Sequence, residues 1–419
     1  MIQRIKGTMD ILPSETPLFR YIEGVMREEA EKYGYGEIRT PTFENTELFV
    51  RGVGDTTDVV QKEMYTFADR EENRSISLRP EGTASVARAI IENGKCSDPM
   101  PLKFYYIISC FRHEKPQAGR YREFYQFGAE LFGATTPSAD AELICLANDF
   151  LKGLGIQNTT LHINSIGCPN CRPQYKAALV EYFSTRKDEL CDTCKSRLEA
   201  NPLRILDCKS PICSSIAAGA PKTVDHLCAD CNEHFEGLKN RLDVIGIEYS
   251  VDTNIVRGLD YYSRSVFEFI SEGIGSQSTV CGGGRYDGLV EQIGGPALAG
   301  IGFAAGINRL VLTMENGSAY NEEQDCADIY IAALGEKASI KANELCAYLR
   351  DYDLRAETDL VGRSLKAQMK YANKINAKYT LIIGDGEIEG GKAQIRNMES
   401  GEQTEIDLSD AKALYEIIK

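Results

Sequence analysis

Between residues 16 and 33 apolar side chains recur at helical spacing. Leu18, Ile22, Val25 and Met26 share one face, Pro17 suits a first turn beside a capping Thr16, and Gly34 ends the run. Short runs of strand character follow at 36–41, stopped by Pro41, and at 64–67 and 75–80, before a helix is predicted over 84–91. The densest apolar run is Phe104, Tyr105, Tyr106, Ile107 and Ile108, which reads as a buried strand. It leads into Arg112, His113 and Glu114, then a loop interrupted by Pro and Gly with Lys115, Arg120 and Arg122, then a second aromatic run over 121–127. This pattern predicts an antiparallel hairpin with Arg112 at the end of its first strand and Gln126 and Glu130 on the return. A guanidinium on a rigid strand beside a basic loop is suited to gripping phosphate. Adjacent strands without alternating crossover helices favour an antiparallel sheet in an α+β domain.

Residues 167–235 hold few β-branched runs and read as a small, mostly helical insertion, placed at approximately 167–240 within a first domain over 1–325. Strand patterns resume at 249–251 and 265–269, and the polar run 315–324 has almost nothing to bury, as expected of a linker. Beyond it, strands at 328–333, 355–357 and 379–383 alternate with helices at 339–352 and 364–377. That alternation predicts a second domain over 326–419, of α/β class with a largely parallel sheet.

With 43% hydrophobic and 26% charged residues in 419, the composition is that of an ordinary soluble enzyme. No apolar run approaches the ~20 residues of a membrane span, and the first residues lack the apolar core of a secretory signal, so a cytoplasmic location is expected. The net charge of −15 argues against non-specific affinity for polyanions and leaves a nucleic-acid partner only local basic patches. One such patch is Arg363, Lys366, Lys370, Lys374 and Lys378, spaced three or four apart with no acidic residue between them. On a helix this is one stripe, either a solvated face or a nucleic-acid contact. Eight of the fourteen cysteines fall in four pairs: Cys168 and Cys171, Cys191 and Cys194, Cys208 and Cys213, Cys228 and Cys231. Their spacing is that of a zinc ribbon, and a reducing compartment argues against disulfides. The spacing leaves open whether the insertion binds zinc; no metal ligand is assigned from the sequence, and a catalytic zinc is not expected of such closed thiolate sets.

Candidate chemistry begins with an exclusion, since no P-loop motif occurs anywhere. Two glycine-rich segments, 282–288 and 300–306, are read as close backbone packing; the second mimics a dinucleotide fingerprint but lacks the unit that should follow it. Arg309 comes shortly after, near the start of a helix, where the dipole already favours an anion. A third arginine, Arg257, precedes Gly258, Asp260, Tyr261 and Tyr262, which could line a polar pocket or divide between core and surface. Taken singly, each arginine reads as a surface charge.

Together these segments resemble the motifs of the class II aminoacyl-tRNA synthetases, and in detail those of the histidyl-tRNA synthetase family. Phe111 to Glu114 is similar to motif 2, 302–309 to motif 3, and 257–262 to the signature particular to the histidine enzymes, while 37–41 falls where motif 1 and its dimer contact belong. The resemblance spans essentially the whole chain. It implies an antiparallel-sheet catalytic domain and a C-terminal anticodon-binding domain, and a homodimer without membrane attachment that activates L-histidine with ATP and Mg²⁺ and charges histidine tRNA. By this likeness Arg112 binds the α-phosphate, with Arg257 contacting it from the amino-acid side. Arg309 holds the γ-phosphate and packs on adenine, whose amino group Glu114 takes while Phe124 stacks on the ring. Glu81, Thr83 and Gln126 receive the α-ammonium. Glu130 and Tyr262, with Tyr261 alongside, read the two imidazole nitrogens. Lys115, Gln117 and Arg120 meet the acceptor end, and Arg363, Lys366, Lys370 and Lys374 the anticodon stem. Three rivals are a histidine-sensing, non-catalytic regulatory subunit of ATP phosphoribosyltransferase, a stand-alone adenylating enzyme for another small acid, and a zinc-dependent nucleic-acid binder. The predicted α/β domain and the three arginines weigh against the first, a pyrophosphate-exchange panel of amino acids tests the second, and the acidic net charge weighs against the third.

Overall fold

A computed structural model describes residues 1–55, 57–69, 74–206, 208, 210–255, 258–271, 279–317 and 326–419. The chain forms two compact units, Met1–Asn321 and Glu322–Lys419. Most of the expected linker and Arg257 lie outside the described residues.

The first unit is built on an eight-stranded sheet. Its order is Gly36–Glu37, Leu102–Phe111, Glu123–Phe132, Gly300–Gly306, Thr279–Arg285, Ser263–Ser271, Thr159–Ser165 and Tyr249–Val251. Neighbours run antiparallel except the outermost pair at each edge, which is parallel. The predicted hairpin is its centre. Side chains alternate across a strand, so Phe127, Ala129 and Leu131 point to one face and pack with Leu18 and Ile22 of helix Thr16–Lys32 and Phe150 of helix Pro137–Gly153. Tyr106, Ile108, Cys110 and Phe132 pack on the other face with helix Thr83–Glu92. Both faces are covered, so this sheet is a middle layer, and the functional cleft opens on the second face.

The cysteine-rich segment is helical, with Arg172–Ser184, Asp192–Ala200 and Pro211–Ala217 around a small core of its own that includes Tyr175, Leu179, Phe183 and Leu198. The helix that returns from it, Ala229–Ile245, buries Phe235, Leu238 and Leu242 in the main core.

The second unit carries a five-stranded sheet in the order Ala356–Thr358, Ile329–Ala333, Tyr379–Ile383, Lys392–Asn397 and Gln403–Asp407. The first three strands are parallel as expected, but the last two form an antiparallel hairpin on one edge that the pattern of apolar residues did not predict. Only Ala393, Ile395 and Ile406 of those two strands are buried, too few to stand out as strand periodicity. Among the described residues no helix is long and apolar enough to cross a membrane.

Candidate active site

Register turns the central strands into a floor. Gln126, Gly128 and Glu130 face away from the Phe127 side, and the adjoining strand sets Gly306, Ala304 and Gly302 opposite them. The next strand places Gly282 beside Ala304 and Gly284 beside Gly302, and Glu268 lies opposite Gly282 on the strand beyond. The middle of this face therefore carries almost no side chains, and a ligand can lie against backbone. Residues 282–285 of the first glycine-rich segment and all of the second lie in paired antiparallel strands, which is the close-packing reading and not a dinucleotide turn. Two glycines are obligatory for what lies beside them. A Cβ on Gly302 would stand 1.7 Å from Glu130 Oε2, and one on Gly128 would stand 2.2 Å from Tyr106 Cζ.

Above the floor is a cleft of about 350 Å³, lined by Glu81, Thr83, Arg112, Glu114, Phe124, Gln126, Tyr261, Tyr262 and Arg309, with Arg120, Glu268 and Asn308. Arg112 follows the first strand of the hairpin. Its Nε donates to Pro80 O at 2.9 Å and its guanidinium lies 5.4 Å from the Phe124 ring centre. Arg309 is the third residue of helix Ile307–Gly317; its Nε donates to Gly119 O at 3.3 Å and its Nη1 to Thr279 O at 2.8 Å. Backbone carbonyls thus fix both guanidiniums, so neither has to be ordered when an anion arrives. Glu114 stands between cations, 3.9 Å from Arg112 Nη1 and in close contact with Arg120 Nε.

The deeper end of the cleft is a network of buried acids and phenols. Glu81 accepts from the backbone N–H groups of Thr83 at 2.7 Å and Ala84 at 2.9 Å, capping helix Thr83–Glu92, and from the Tyr261 hydroxyl at 3.4 Å. Burial raises its pKa, opposed by those backbone bonds. Glu130 is fully buried on the same face as Gln126, beside the cleft but not lining it, and receives the hydroxyls of Thr83 at 2.7 Å, Tyr106 at 3.0 Å and, closely, Tyr286. Burial pushes its pKa up to about 8 despite these three hydrogen bonds. Burial likewise holds the phenols of Tyr106, Tyr261 and Tyr286 well above their ordinary range.

The structure thus brings Arg112 and Arg309 to one cleft with the expected nucleotide and amino-acid residues, and sets Glu130 just behind its wall, bonded to Thr83. Lys115 and Gln117 are exposed on the hairpin loop, whose tip closes through Gln117 N to Arg120 O at 3.2 Å and its reciprocal at 2.9 Å. Arg120 differs from them: it turns inward to Glu114 and lines the cleft. In the second unit Lys366, Lys370 and Lys374 are exposed along helix Leu365–Lys374, whereas Arg363 precedes it, bound to Asp359 at 2.8 Å and stacked 4.5 Å from the Tyr371 ring centre. Lys378, the far end of the expected stripe, pairs with Asp328 at 2.9 Å. The sequence reading missed Tyr106 and Tyr286, which reach Glu130 only through register, and Glu268, whose Oε2 accepts from Thr279 Oγ1 at 2.9 Å. It also missed Asn308, which receives Tyr125 N at 2.8 Å and fixes the start of Arg309's helix to the hairpin.

A family model described as Histidyl-tRNA synthetase matches residues 7–171 and 215–310, and one described as Anticodon binding domain matches 328–416. A Histidine--tRNA ligase of Acetivibrio thermocellus is 56% identical over 408 residues, covering 97% of this chain and 98% of that protein. One from Clostridium botulinum is 49% identical over 418 residues, covering both chains fully at 100%. Among solved structures, apo histidyl-tRNA synthetase of S. aureus is similar with a TM-score of 0.83 and 38% identity over 99% of this chain and 100% of that one. This full-length likeness is to ligases, and the regulatory-subunit alternative is not retained. With the floor, the cleft and these matches in agreement, the chain belongs to the histidyl-tRNA synthetase family.

Proposed function

We infer that this chain is a histidine–tRNA ligase and that both of its steps take place over the glycine floor. It activates L-histidine with ATP and transfers histidine to the 3′ end of its tRNA. The observation that carries this reading is the convergence of Arg112 and Arg309, far apart in sequence, on one cleft that also holds Glu81, Thr83, Gln126 and two tyrosines.

In the first step a histidine carboxylate oxygen forms a bond to the α-phosphorus of ATP while the bond to the β-phosphate oxygen breaks and pyrophosphate leaves. The carboxylate is already the nucleophile, so no base is needed; catalysis is positioning plus neutralisation of charge on oxygen. Arg112 binds the α-phosphate with Arg257 approaching from the amino-acid side, and Arg309 takes the γ-phosphate and one adenine face. Phe124 stacks on the other face, and Glu114 receives the adenine amino group. Mg²⁺, when bound, would supply positive charge against the triphosphate. Glu268, a half-buried carboxylate on the cleft face, suits an ion that pairs one or two carboxylates with substrate phosphates. In the second step the terminal ribose hydroxyl attacks the carbonyl carbon, adenylate leaves, and a phosphate oxygen takes the proton.

Glu81, Thr83 and Gln126 receive the α-ammonium. Tyr262, flanked by Tyr261, donates to the bare imidazole nitrogen, and Glu130 reads the N–H. A site paired in this way rejects side chains that leave its buried polar atoms unmatched. The catalytic domain is placed at 1–325 with the insertion at approximately 167–240, and the anticodon-binding domain at 326–419. Lys115 and Gln117 face the acceptor end, and Lys366, Lys370 and Lys374 the anticodon stem. A cytoplasmic homodimer, joined near Glu37 to Pro41, completes the reading.

Histidine-dependent pyrophosphate exchange tests it. Arg257→Ala should lose nearly all exchange while histidine binding, measured calorimetrically, is largely kept. Unchanged exchange in that variant would remove Arg257 from the mechanism, and stimulation by another amino acid in place of histidine would overturn the specificity.

A further inference from the structure

The eight cysteines of the insertion sort in space in a nested order. Cys168 and Cys171 meet Cys228 and Cys231, while Cys191 and Cys194 meet Cys208 and Cys213, and within each group all four sulfurs lie within 4.8 Å of one another. The outer group joins the two stems through which the insertion leaves and re-enters the catalytic unit. The inner group gathers its distal helices.

Distances narrow what such groups can be. Sulfur separations are 3.7 Å for Cys168–Cys171, 3.9 Å for Cys168–Cys228 and 3.9 Å for Cys191–Cys208. A disulfide joins two sulfurs at about 2.05 Å, and all eight thiols are free. Four sulfurs at the corners of a tetrahedron with arms of about 2.3 Å stand about 3.8 Å apart, the dimension of a zinc tetrathiolate. A multi-iron cluster spreads its thiolates around several irons and needs a wider group.

Local backbone agrees. Cys171, Cys191 and Cys228 each occupy the position just before a helix, and Cys194 and Cys231 sit one turn inside two of those helices. Sulfur also accepts backbone N–H bonds, from Cys228 N to Cys171 Sγ at 3.1 Å and from Cys191 N to Cys213 Sγ at 3.3 Å, as ligand thiolates commonly do. The apolar core of this segment is small, and Cys194 and Cys213 are themselves part of it. Small cores of this kind need a staple.

We propose that the insertion holds two structural Zn²⁺ ions, one on Cys168, Cys171, Cys228 and Cys231 and one on Cys191, Cys194, Cys208 and Cys213. Four protein thiolates leave no open position, so neither ion meets substrate. Their effect is positional. Arg172, directly after Cys171, donates to the Tyr262 carbonyl, and Arg264 N donates to Gly167 O at 2.9 Å, so the outer ion fixes the stems against the cleft wall. The inner ion shapes the segment from which Arg204 reaches Gly258 O at 3.1 Å and Asp260 Oδ1 at 2.9 Å.

The test uses the full-length chain purified with its thiols reduced. Elemental analysis should find two zinc per chain. Cys168→Ser with Cys171→Ser, and separately Cys191→Ser with Cys194→Ser, should each leave one. Because a double variant can fail to fold, the unmodified protein is also stripped and titrated with Co²⁺, whose tetrathiolate absorption should saturate at two equivalents. Saturation at one equivalent would overturn the two-site assignment. Absence of the absorption, together with free reaction of all eight thiols in the folded protein, would overturn it altogether.

Discussion

Glu130 shows how one residue can be set by opposing effects. Its carboxyl is wholly buried, and three hydroxyls from Thr83, Tyr106 and Tyr286 favour the charged form, yet desolvation prevails and its pKa rises from 4.5 to about 8. Across that interval an unfolded chain has released the proton that the folded chain still holds. The folded state binds more protons, so this group's contribution to stability is greatest at low pH and is lost as pH rises from roughly 4.5 towards 8. Glu130→Gln keeps the shape and the neutral charge throughout. The thermal midpoint of wild type should therefore fall more steeply than that of the variant between about pH 5 and pH 8, a difference set by the raised pKa. Parallel curves in calorimetric scans would mean that Glu130 is already ionised in the fold. The neutral carboxyl also suits recognition of a neutral imidazole, because it offers both a donor and an acceptor.

At the scale of elements, the floor is anchored by a buried ion network rather than by its glycines. Arg285 ends the strand Thr279–Arg285, is fully buried, and pairs through Nε with Asp140 at 2.7 Å and through Nη1 with Asp287 at 2.9 Å and Ala134 O at 3.0 Å. The other Asp140 oxygen meets His234 Nε2 at 2.6 Å, so helix Pro137–Gly153 and the helix returning from the insertion are tied to one guanidinium. Arg285→Ala leaves Asp140 buried without its cation and should cost about 3–5 kcal/mol in denaturant unfolding of the first unit. A loss below about 1 kcal/mol would place the anchor elsewhere. None of this was legible in sequence, where Arg285 is one residue in a glycine-rich run. The hairpin Leu102–Phe111 with Glu123–Phe132 was legible because aromatic runs flank a break of Pro, Gly and charge, and its period of two already set Gln126 and Glu130 on one face. The partners of Glu130 were not, since Tyr106 and Tyr286 reach it through pairing of strands distant in sequence. The terminal hairpin stayed hidden for a different reason, because its exposed Lys392, Gln394 and Arg396 outnumber the apolar residues between them.

For the whole molecule the ruling quantity is charge. With a net charge of −15 the summed field repels a polyanion, so any tRNA must be held by short-range contacts strong enough to offset it. The second unit offers a surface of that kind. Lys366, Lys370 and Lys374 stand four residues apart on helix Leu365–Lys374, exposed and without an ion pair among the described residues. Arg363 and Lys378 are engaged by Asp359 and Asp328, which leaves the three lysines as the free positive charge of the stripe. Each phosphate they neutralise releases bound counterions, so the salt dependence of binding counts the contacts independently of affinity. Replacing all three lysines by alanine should lower the slope of log affinity for tRNA against log salt by roughly 2–3. Histidine-dependent pyrophosphate exchange, which needs no tRNA, should stay within about twofold of wild type, since none of the three lysines lines the cleft. Filter binding across a salt series, run beside the exchange assay, separates the outcomes. A lower slope with intact exchange assigns the stripe to tRNA, whereas an unchanged slope returns these lysines to the role of a solvated helix face.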